Sequence, residues 1–156
     1  MDGEYSQQTG PFRPEVFFLG RTEGWGVARG PMGRLHRRCR IVTEGRLDDA
    51  FRAIQFEETV HWEDGEQDDW RWAMTRGLDG RYVAAEARAG VGIQGRYDGA
   101  DYLLSFRRTL RPEGGPRPRF NTRFTQISPS VALKCVRISL WGLRVGELTA
   151  FHKRVD

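Results

Sequence analysis

A strict alternation of apolar and polar residues between positions 52 and 62 is the feature that most constrains this chain. One set of alternate positions carries Ile54, Phe56, Glu58, Val60 and Trp62. The other set carries Gln, Glu, Thr and His, which suit a solvent-exposed face. Since the side chains of a β-strand point alternately to opposite faces, this period of two predicts a strand with one buried face.

The residues that follow predict a hairpin. Asp64-Gly65 is a favoured pair for a tight turn between antiparallel strands. Beyond it, Trp70, Trp72 and Met74 again occupy alternate positions. We therefore expect a second strand to return beside the first.

The same alternation predicts strands over most of the remaining chain. The segments are one that starts at Trp25, then 33–47, 81–89, 101–110, 120–127, 131–141 and 144–155. In the segment 33–47, the residues expected to face inward are Leu35, Cys39, Ile41 and Leu47. The glycines between positions 90 and 95 predict a bend or bulge, and residues 15–20 predict a single helical turn.

Short sequential strands joined by short turns predict the fold class. Closure into a barrel is the most complete way to remove exposed strand edges, so we expect an all-β, single antiparallel up-and-down barrel of about nine strands. An open sandwich is the alternative. The 156 residues suit one domain, which we place at 15–156. Residues 1–14 are polar and contain glycine and proline, which predicts a flexible N-terminal arm.

Composition argues against several classes of partner. The 25 basic residues are interleaved with 21 acidic ones, so we expect no nucleic-acid partner. Nothing approaches membrane-spanning length, so we expect no membrane partner, and the first residues lack a signal peptide, which predicts a cytoplasmic location. The two cysteines, Cys39 and Cys135, predict buried thiols. No metal-ligand spacing is present, and we expect no cofactor.

Three stretches of the chain resemble an uncharacterised bacterial family, domain of unknown function 3833. They are FFLGRTEGWG with GRLHRR in 17–38, the alternating strand with its turn and the DGRY sequence in 58–82, and WGLRVGELTAFHKR in 141–154. The resemblance implies a lipocalin-like, calycin-type barrel. The sequence departs from the family at 121–124, where it reads Asn-Thr-Arg-Phe. Since the family has no established catalytic residues, the resemblance implies none here.

Ionisable and aromatic residues on the apolar faces are the candidate ligand contacts. They are Trp25, Phe56, Glu58, Trp62, Trp72, Tyr82, Glu86 and Arg88. Charges inside a barrel require partners or a wet cavity, so these side chains predict either anchors for a ligand or an internal ion pair. Gly24-Trp25-Gly26 is similar to the Gly-x-Trp of lipocalin first strands, which implies an indole packed across the closed end of the barrel.

The sequence leaves three functions open. The first is a binding module for a small apolar or amphipathic ligand, and the second is an isomerase- or hydratase-like enzyme that uses a lumenal carboxylate as general base. The third is a scaffold with a packed interior. His152 invites comparison with haem-binding barrels, but its spacing does not match, so we expect a surface or hydrogen-bonded residue. His36 and His61 lie on predicted polar faces, and no Ser-His-Asp arrangement is present. The sequence predicts neither the oligomeric state nor which end of the barrel is open.

Overall fold

Ten strands and one short helix make up the described part of the chain, residues 10–48 and 53–155 of a computed structural model. The helix α1 spans Pro14–Phe17. The strands are β1 Gly20–Arg29, β2 Leu35–Asp48, β3 Ala53–Trp62, β4 Gln67–Arg76, β5 Tyr82–Glu86, β6 Gly90–Asp98, β7 Asp101–Arg107, β8 Arg119–Ser128, β9 Val131–Leu140 and β10 Leu143–Val155.

The strands form one closed barrel. Each strand pairs antiparallel with its neighbours in sequence, and β1 also pairs with β10, which completes the ring. Closure leaves no unpaired sheet edge. The predicted up-and-down barrel is therefore confirmed, and the open sandwich is wrong. The predicted hairpin at 52–75 is confirmed as β3 and β4, with Phe56 opposite Trp72, although residues 49–52 lie outside the described part of the chain.

The structure has one strand more than the nine predicted. The additional strand is β6, where the sequence predicts only a glycine-rich bend or bulge. Gly90 and Gly92 have φ values of 96° and 74°, so the chain leaves the preceding turn in a conformation that glycine favours. Further along, a Cβ at Gly95 would overlap the ring of Tyr102 on β7. Because Gly95 has no side chain, the ring of Tyr102 can pack directly against the backbone of β6. With few apolar side chains of its own, it shows too little alternation to be recognised.

Two predictions about buried residues need correction. Cys39 and Ile41 are buried as expected, whereas Leu35 and Leu47 are exposed because they lie at the two ends of β2, beyond the packed interior. Cys135 is only half-buried. It alternates with the inward-facing Val136 and therefore lies on the outer face of β9.

The N-terminal segment closes one end of the barrel. Phe12, Phe17 and Phe18 are buried there, and Phe12 stacks on Phe124 with 4.7 Å between ring centroids. The backbone N–H of Phe12 donates to the carbonyl of Ala100 over 3.1 Å, which ties the segment to the β6–β7 turn. Phe12 and Pro14, which the sequence places in the predicted arm, are therefore buried at the end of the barrel, whereas Arg13 between them is exposed. Residues 1–9 lie outside the described part.

The opposite end of the barrel is open. Five connections meet there, at 30–34, 63–66, 87–89, 108–118 and 141–142. The direction of each strand follows from the up-and-down topology, so every second connection falls at this end. The fold thus answers a question that the sequence leaves open, namely which end gives access to the interior.

Candidate ligand-binding cavity

A cavity of about 540 Å³ occupies the open half of the barrel. This volume lies within the range typical of small-molecule sites, roughly 300–1,000 Å³. Aromatic rings from four strands dominate its walls, and they are Phe56, Trp62, Trp70, Trp72, Phe106, Phe120 and Phe124. The inward positions of β3 and β4 contribute most of these rings, because their alternation places every second residue inside.

Four of these rings form two parallel pairs. Trp70 and Trp72 stack with centroids 6.1 Å apart and planes at 5°. Phe106 and Phe120 stack with centroids 5.4 Å apart and planes at 7°. The two pairs meet edge to face, with 77° between Trp72 and Phe106. Such packing fixes the ring orientations and gives the cavity a preformed apolar wall.

An ion pair crosses the cavity lining. Lys134 on β9 donates from Nζ to Glu58 Oε1 on β3 over 2.9 Å; Glu58 is buried, and the Lys134 side chain is 11% exposed. Thr122 on β8 adds a hydroxyl to the same lining. The two charged groups come from well-separated strands, so the interaction spans the interior of the barrel. Lys134 was not predicted, although it alternates with Ala132 and Val136 in the sequence, and that alternation was the available signal.

A second buried ion pair lies in the wall near the open end. Arg108 Nε donates to Glu86 Oε1 over 2.7 Å, and both side chains are almost completely buried. Glu86 also accepts hydrogen bonds from the backbone N–H groups of Arg71, Arg88 and Ala89. Arg108 donates from Nη2 to the Asp69 carbonyl over 2.7 Å. The Glu86 carboxylate is therefore surrounded by donors.

These donors set the protonation of Glu86. Burial alone would raise the pKa of its carboxyl group, but the hydrogen bonds from Arg108 and from the backbone of Arg88 and Arg71 outweigh burial and lower the pKa. The guanidinium of Arg108 stacks on Trp70, with 3.5 Å between Cζ and the ring centroid. Arg108 itself lines the cavity. Glu86 thus positions a cation that faces the lumen.

A third cation lies over an aromatic ring at the mouth of the cavity. The guanidinium of Arg37 covers Trp62 at 3.9 Å from the ring centroid and donates to Asp64 and Glu66. The indole N–H of Trp62 donates to Asp68 Oδ2 over 3.0 Å. The entrance therefore combines an indole with charges of both signs.

Residues 2–154 match the family described as Protein of unknown function (DUF3833). The chain belongs to this family. No curated protein matches the sequence of this DUF3833 chain.

Among solved structures, the DUF3833 barrel is similar to an S-type phycobiliprotein lyase, CPES, from Guillardia theta. The TM-score is 0.64 with 11% identity, and the alignment covers 88% of each chain. The redesigned β-barrel mFAP0, solved with bound DFHBI, aligns with a TM-score of 0.49 and 12% identity over 88% of this chain and 99% of that one. The first likeness shows that this DUF3833 protein has a lipocalin-like barrel.

Half of the predicted ligand contacts meet in the cavity. These are Phe56, Glu58, Trp62 and Trp72. Their role as ligand contacts stays a prediction, but their placement together on one lining is a structural fact. The β3–β4 alternation was sufficient to find them.

The other four candidates lie elsewhere in the DUF3833 barrel. Trp25 is 55% exposed on the outer wall, because Gly24 and Gly26 take the inward positions of β1, so its predicted packing across the closed end is wrong. Tyr82 lies towards the closed end, where its hydroxyl donates to Glu15 over 2.6 Å. Glu86 is the last residue of β5 and lies in the wall behind Arg108, whereas Arg88 lies beyond the end of that strand, so the two do not share a strand face.

His152 is buried, contrary to its prediction as a surface or hydrogen-bonded residue. It is 1% exposed on β10, and neither ring nitrogen has a hydrogen-bond partner among the residues that the structure describes. Burial lowers the pKa of its imidazole to about 4, the charge of Lys134 acts in the same direction, and that of Glu58 opposes them. Within 10–48 and 53–155 no group of three or more His, Cys, Asp or Glu residues could hold a metal ion.

Proposed function

We propose that this barrel is a binding module that holds a small amphipathic molecule in its open half. The observation that carries the proposal is the cavity itself, which combines a preformed aromatic wall with a buried ion pair. The apolar body of the ligand packs against Trp72 and Phe120. Its polar group bonds to Lys134 or Glu58, which fixes its orientation.

The ion pair supports a binding role because it is costly in an apolar interior. Each charged group loses its hydration, and the attraction between Glu58 and Lys134 only partly offsets that loss. A barrel that served only as a scaffold would be more stable with apolar residues and a filled lumen. Here the interior instead retains a cavity of about 540 Å³ beside the charges.

The polar groups also indicate the chemistry of the ligand. Lys134 supplies hydrogen-bond donors and Glu58 supplies acceptors, so one ligand group that both donates and accepts, such as a carboxamide or a carboxylic acid, can bond to both. Arg108 provides a second donor nearer the mouth. A flat, conjugated body suits the parallel ring pairs of the wall.

A catalytic role has less support. A general base of the kind considered in the sequence requires a carboxyl group whose pKa is raised. The pKa of Glu86 is instead lowered, and Glu58 is already bonded to Lys134. No residue arrangement in the described part favours a particular reaction, so the binding module is the function that we propose.

The test compares a cavity-filling variant with a matched surface variant. Thr122→Trp places an indole in the lumen, whereas Thr149→Trp makes the same change on β10 outside the cavity lining. The probe is anilinonaphthalene sulfonate, which has an apolar aromatic body and an anionic group. We expect its fluorescence to rise on binding to the native protein and to Thr149→Trp, and its affinity for Thr122→Trp to fall at least roughly tenfold.

Native mass spectrometry of the purified protein provides an independent measurement. A co-purified small molecule that is absent from Thr122→Trp would support the proposal. The proposal fails if the native protein does not bind the probe, or if Thr122→Trp and Thr149→Trp bind it equally.

A further inference from the structure

Large apolar side chains protrude around part of the open end. The four most exposed are Met32, Leu110, Trp141 and Leu143, which we call the apolar rim. Each is exposed, and each lies at or beside a connection between strands rather than on a flat sheet face. Because β1 pairs with β10, the three connections that carry the rim follow one another around the barrel. The apolar rim is therefore an arc and not a set of scattered residues.

Trp141 is the most unusual member of the rim. It has a φ of 51°, and Gly142 beside it has a φ of 77°, so the two form a tight turn between β9 and β10. Asparagine is the favoured residue before glycine in such a turn, while a bulky side chain there is strained. The indole is 86% exposed, so the barrel gains little packing in return. A strained residue without a structural benefit indicates a functional role.

Arginines surround the same arc. The exposed ones on the three connections and the strand ends beside them are Arg29, Arg34, Arg107, Arg111, Arg117, Arg119 and Arg144. They outnumber the two glutamates of these segments, Glu113 and Glu147. The β3–β4 connection on the other side of the mouth carries Glu63, Asp64 and Glu66 instead. The arc thus combines apolar tips with an excess of positive charge, whereas the β3–β4 connection does not. The exposed Val91, beside the β5–β6 connection that carries Arg88, lies next to the end of the arc.

We propose that the apolar rim docks this barrel onto an anionic lipid bilayer. Tryptophan and leucine side chains enter the region between headgroups and acyl chains, while arginines bind the anionic headgroups. Separate protruding tips suit a deformable lipid surface better than a rigid protein partner. A second copy of the chain is disfavoured, because it would bring two arginine-rich arcs together.

The apolar rim lies beside the entrance of the cavity. Leu110 and Val145 belong both to the open end and to the cavity lining, and Pro31 lines the cavity next to Met32. A docked barrel would therefore place its entrance against the lipid. This inference goes beyond the proposed function, since docking does not require an occupied cavity. It also differs from the expectation of no membrane partner, which rested only on the lack of a segment long enough to span a bilayer.

No helix in the described ranges is long and apolar enough to cross a membrane. The proposed contact is made by the tips of connections instead. It is expected to depend on both apolar insertion and charge, and each can be removed separately.

The first test is sedimentation of the full chain with vesicles. One set contains phosphatidylcholine and phosphatidylglycerol in equal parts, and the other contains phosphatidylcholine alone. We expect the protein to sediment with the anionic vesicles and at least roughly tenfold less with the neutral ones, because headgroup charge supplies much of the attraction. Raising the salt concentration should release it.

Trp141→Asn separates docking from folding. The substitution places the favoured Asn-Gly pair in the β9–β10 turn, so we expect thermal stability to stay the same or rise. Affinity for anionic vesicles should fall roughly tenfold, because the interfacial indole is lost. Leu78→Asn is the matched control, since Leu78 is also fully exposed on a connection, but at the closed end of the barrel.

The charge is tested by Arg34→Gln/Arg111→Gln, with Arg76→Gln/Arg81→Gln at the closed end as the matched pair. Only the first pair should weaken vesicle binding.

The inference fails if the native protein does not bind anionic vesicles or if the closed-end variants lose as much affinity. It also fails if Trp141→Asn abolishes a dimer seen by light scattering, which would make the rim a contact between copies. Thr122→Trp should still bind vesicles, so failure of the cavity and failure of the rim are distinguishable.

Discussion

The barrel contains two buried ion pairs with different surroundings. Glu86 accepts hydrogen bonds from Arg108 and from three backbone N–H groups, and Arg108 also stacks on Trp70. Glu58 is bonded to Lys134 beside an open cavity. The Glu86 carboxylate is enclosed by donors, while its cation Arg108 borders the cavity. The second pair has room next to it for another molecule.

This difference separates a structural pair from a candidate binding pair. Buried charges are tolerated when their hydrogen-bonding groups are satisfied, and the Glu86 carboxylate meets that condition within the protein. The Glu58–Lys134 pair retains free hydrogen-bonding capacity towards the cavity. A ligand that supplies the missing partners would gain affinity from a site that the fold has already desolvated.

The largest effect is expected from Arg108→Met. The substitution leaves the Glu86 carboxylate buried without its cation, and such a loss typically costs about 3–5 kcal/mol. The free energy of unfolding, measured by urea denaturation, should fall by that amount. Glu86→Gln/Arg108→Met should recover part of the loss, because the uncompensated charge is removed as well. A loss smaller than that of Lys134→Met would contradict the assignment of this pair to the structural framework.

The next effect concerns pH, through His152. Its pKa is lowered from 6.5 to about 4 in the folded protein, so between these values the unfolded chain binds a proton that the folded chain does not. Stability should therefore decrease as the pH falls through this window, by up to about 3 kcal/mol, and should be unaffected by this group above it. Urea midpoints measured across the window provide the test, with His152→Gln as the control that flattens the slope.

His152 also reports on the second ion pair, since the charge of Lys134 contributes to its lowered pKa and that of Glu58 opposes it. Lys134→Met should therefore raise the pKa of His152. The shift can be followed by proton NMR, with the exposed His36 and His61 as internal references. An unchanged titration of His152 would show that the pair and the imidazole are not coupled.

A smaller loss of stability is expected from Lys134→Met than from Arg108→Met. The Glu58 carboxylate would face a cavity that water can enter, so we expect a loss of about 1–2 kcal/mol. Affinity for anilinonaphthalene sulfonate should fall with it, because its sulfonate loses a cation. Arg108→Lys serves as a comparison that keeps a positive charge near the mouth. A variant that loses stability but keeps its affinity for the probe would remove Lys134 from the proposed site.

Sequence reasoning recovered the parts of this molecule that local alternation encodes. The β3–β4 hairpin places Phe56, Glu58 and Trp72 correctly, because a period of two fixes which side chains share a face. Trp25 shows the limit of motif resemblance. Gly24 and Gly26 take the inward positions of β1, so the alternation of the strand places Trp25 on the outer face. The similarity of Gly24-Trp25-Gly26 to a lipocalin motif therefore gave the wrong position for the indole.

The pairing of distant charges could not be predicted from the sequence. Lys134 and Glu58 are separated by 76 positions, and Arg108 lies outside any strand. Their contacts depend on strand register and barrel closure, which no local pattern contains. The buried N-terminal segment was missed for a related reason, since a lone Phe12 between Pro11 and Arg13 shows no periodicity. The role of Phe12 in closing the barrel follows only from the three-dimensional structure.

The smallest effect is expected from an exposed pair on the same two strands. Arg71 on β4 lies 3.7 Å from Glu57 on β3, and both side chains face solvent. These residues are direct neighbours of Trp70 and Glu58, so they share the backbone environment of the cavity wall but not its burial. Arg71→Gln should leave both the urea midpoint and the affinity for the probe unchanged, because exposed pairs are screened by water and salt. A change comparable to that of Lys134→Met would mean that charge near these strands matters regardless of burial, and the distinction between framework and cavity pairs would then lose its physical basis.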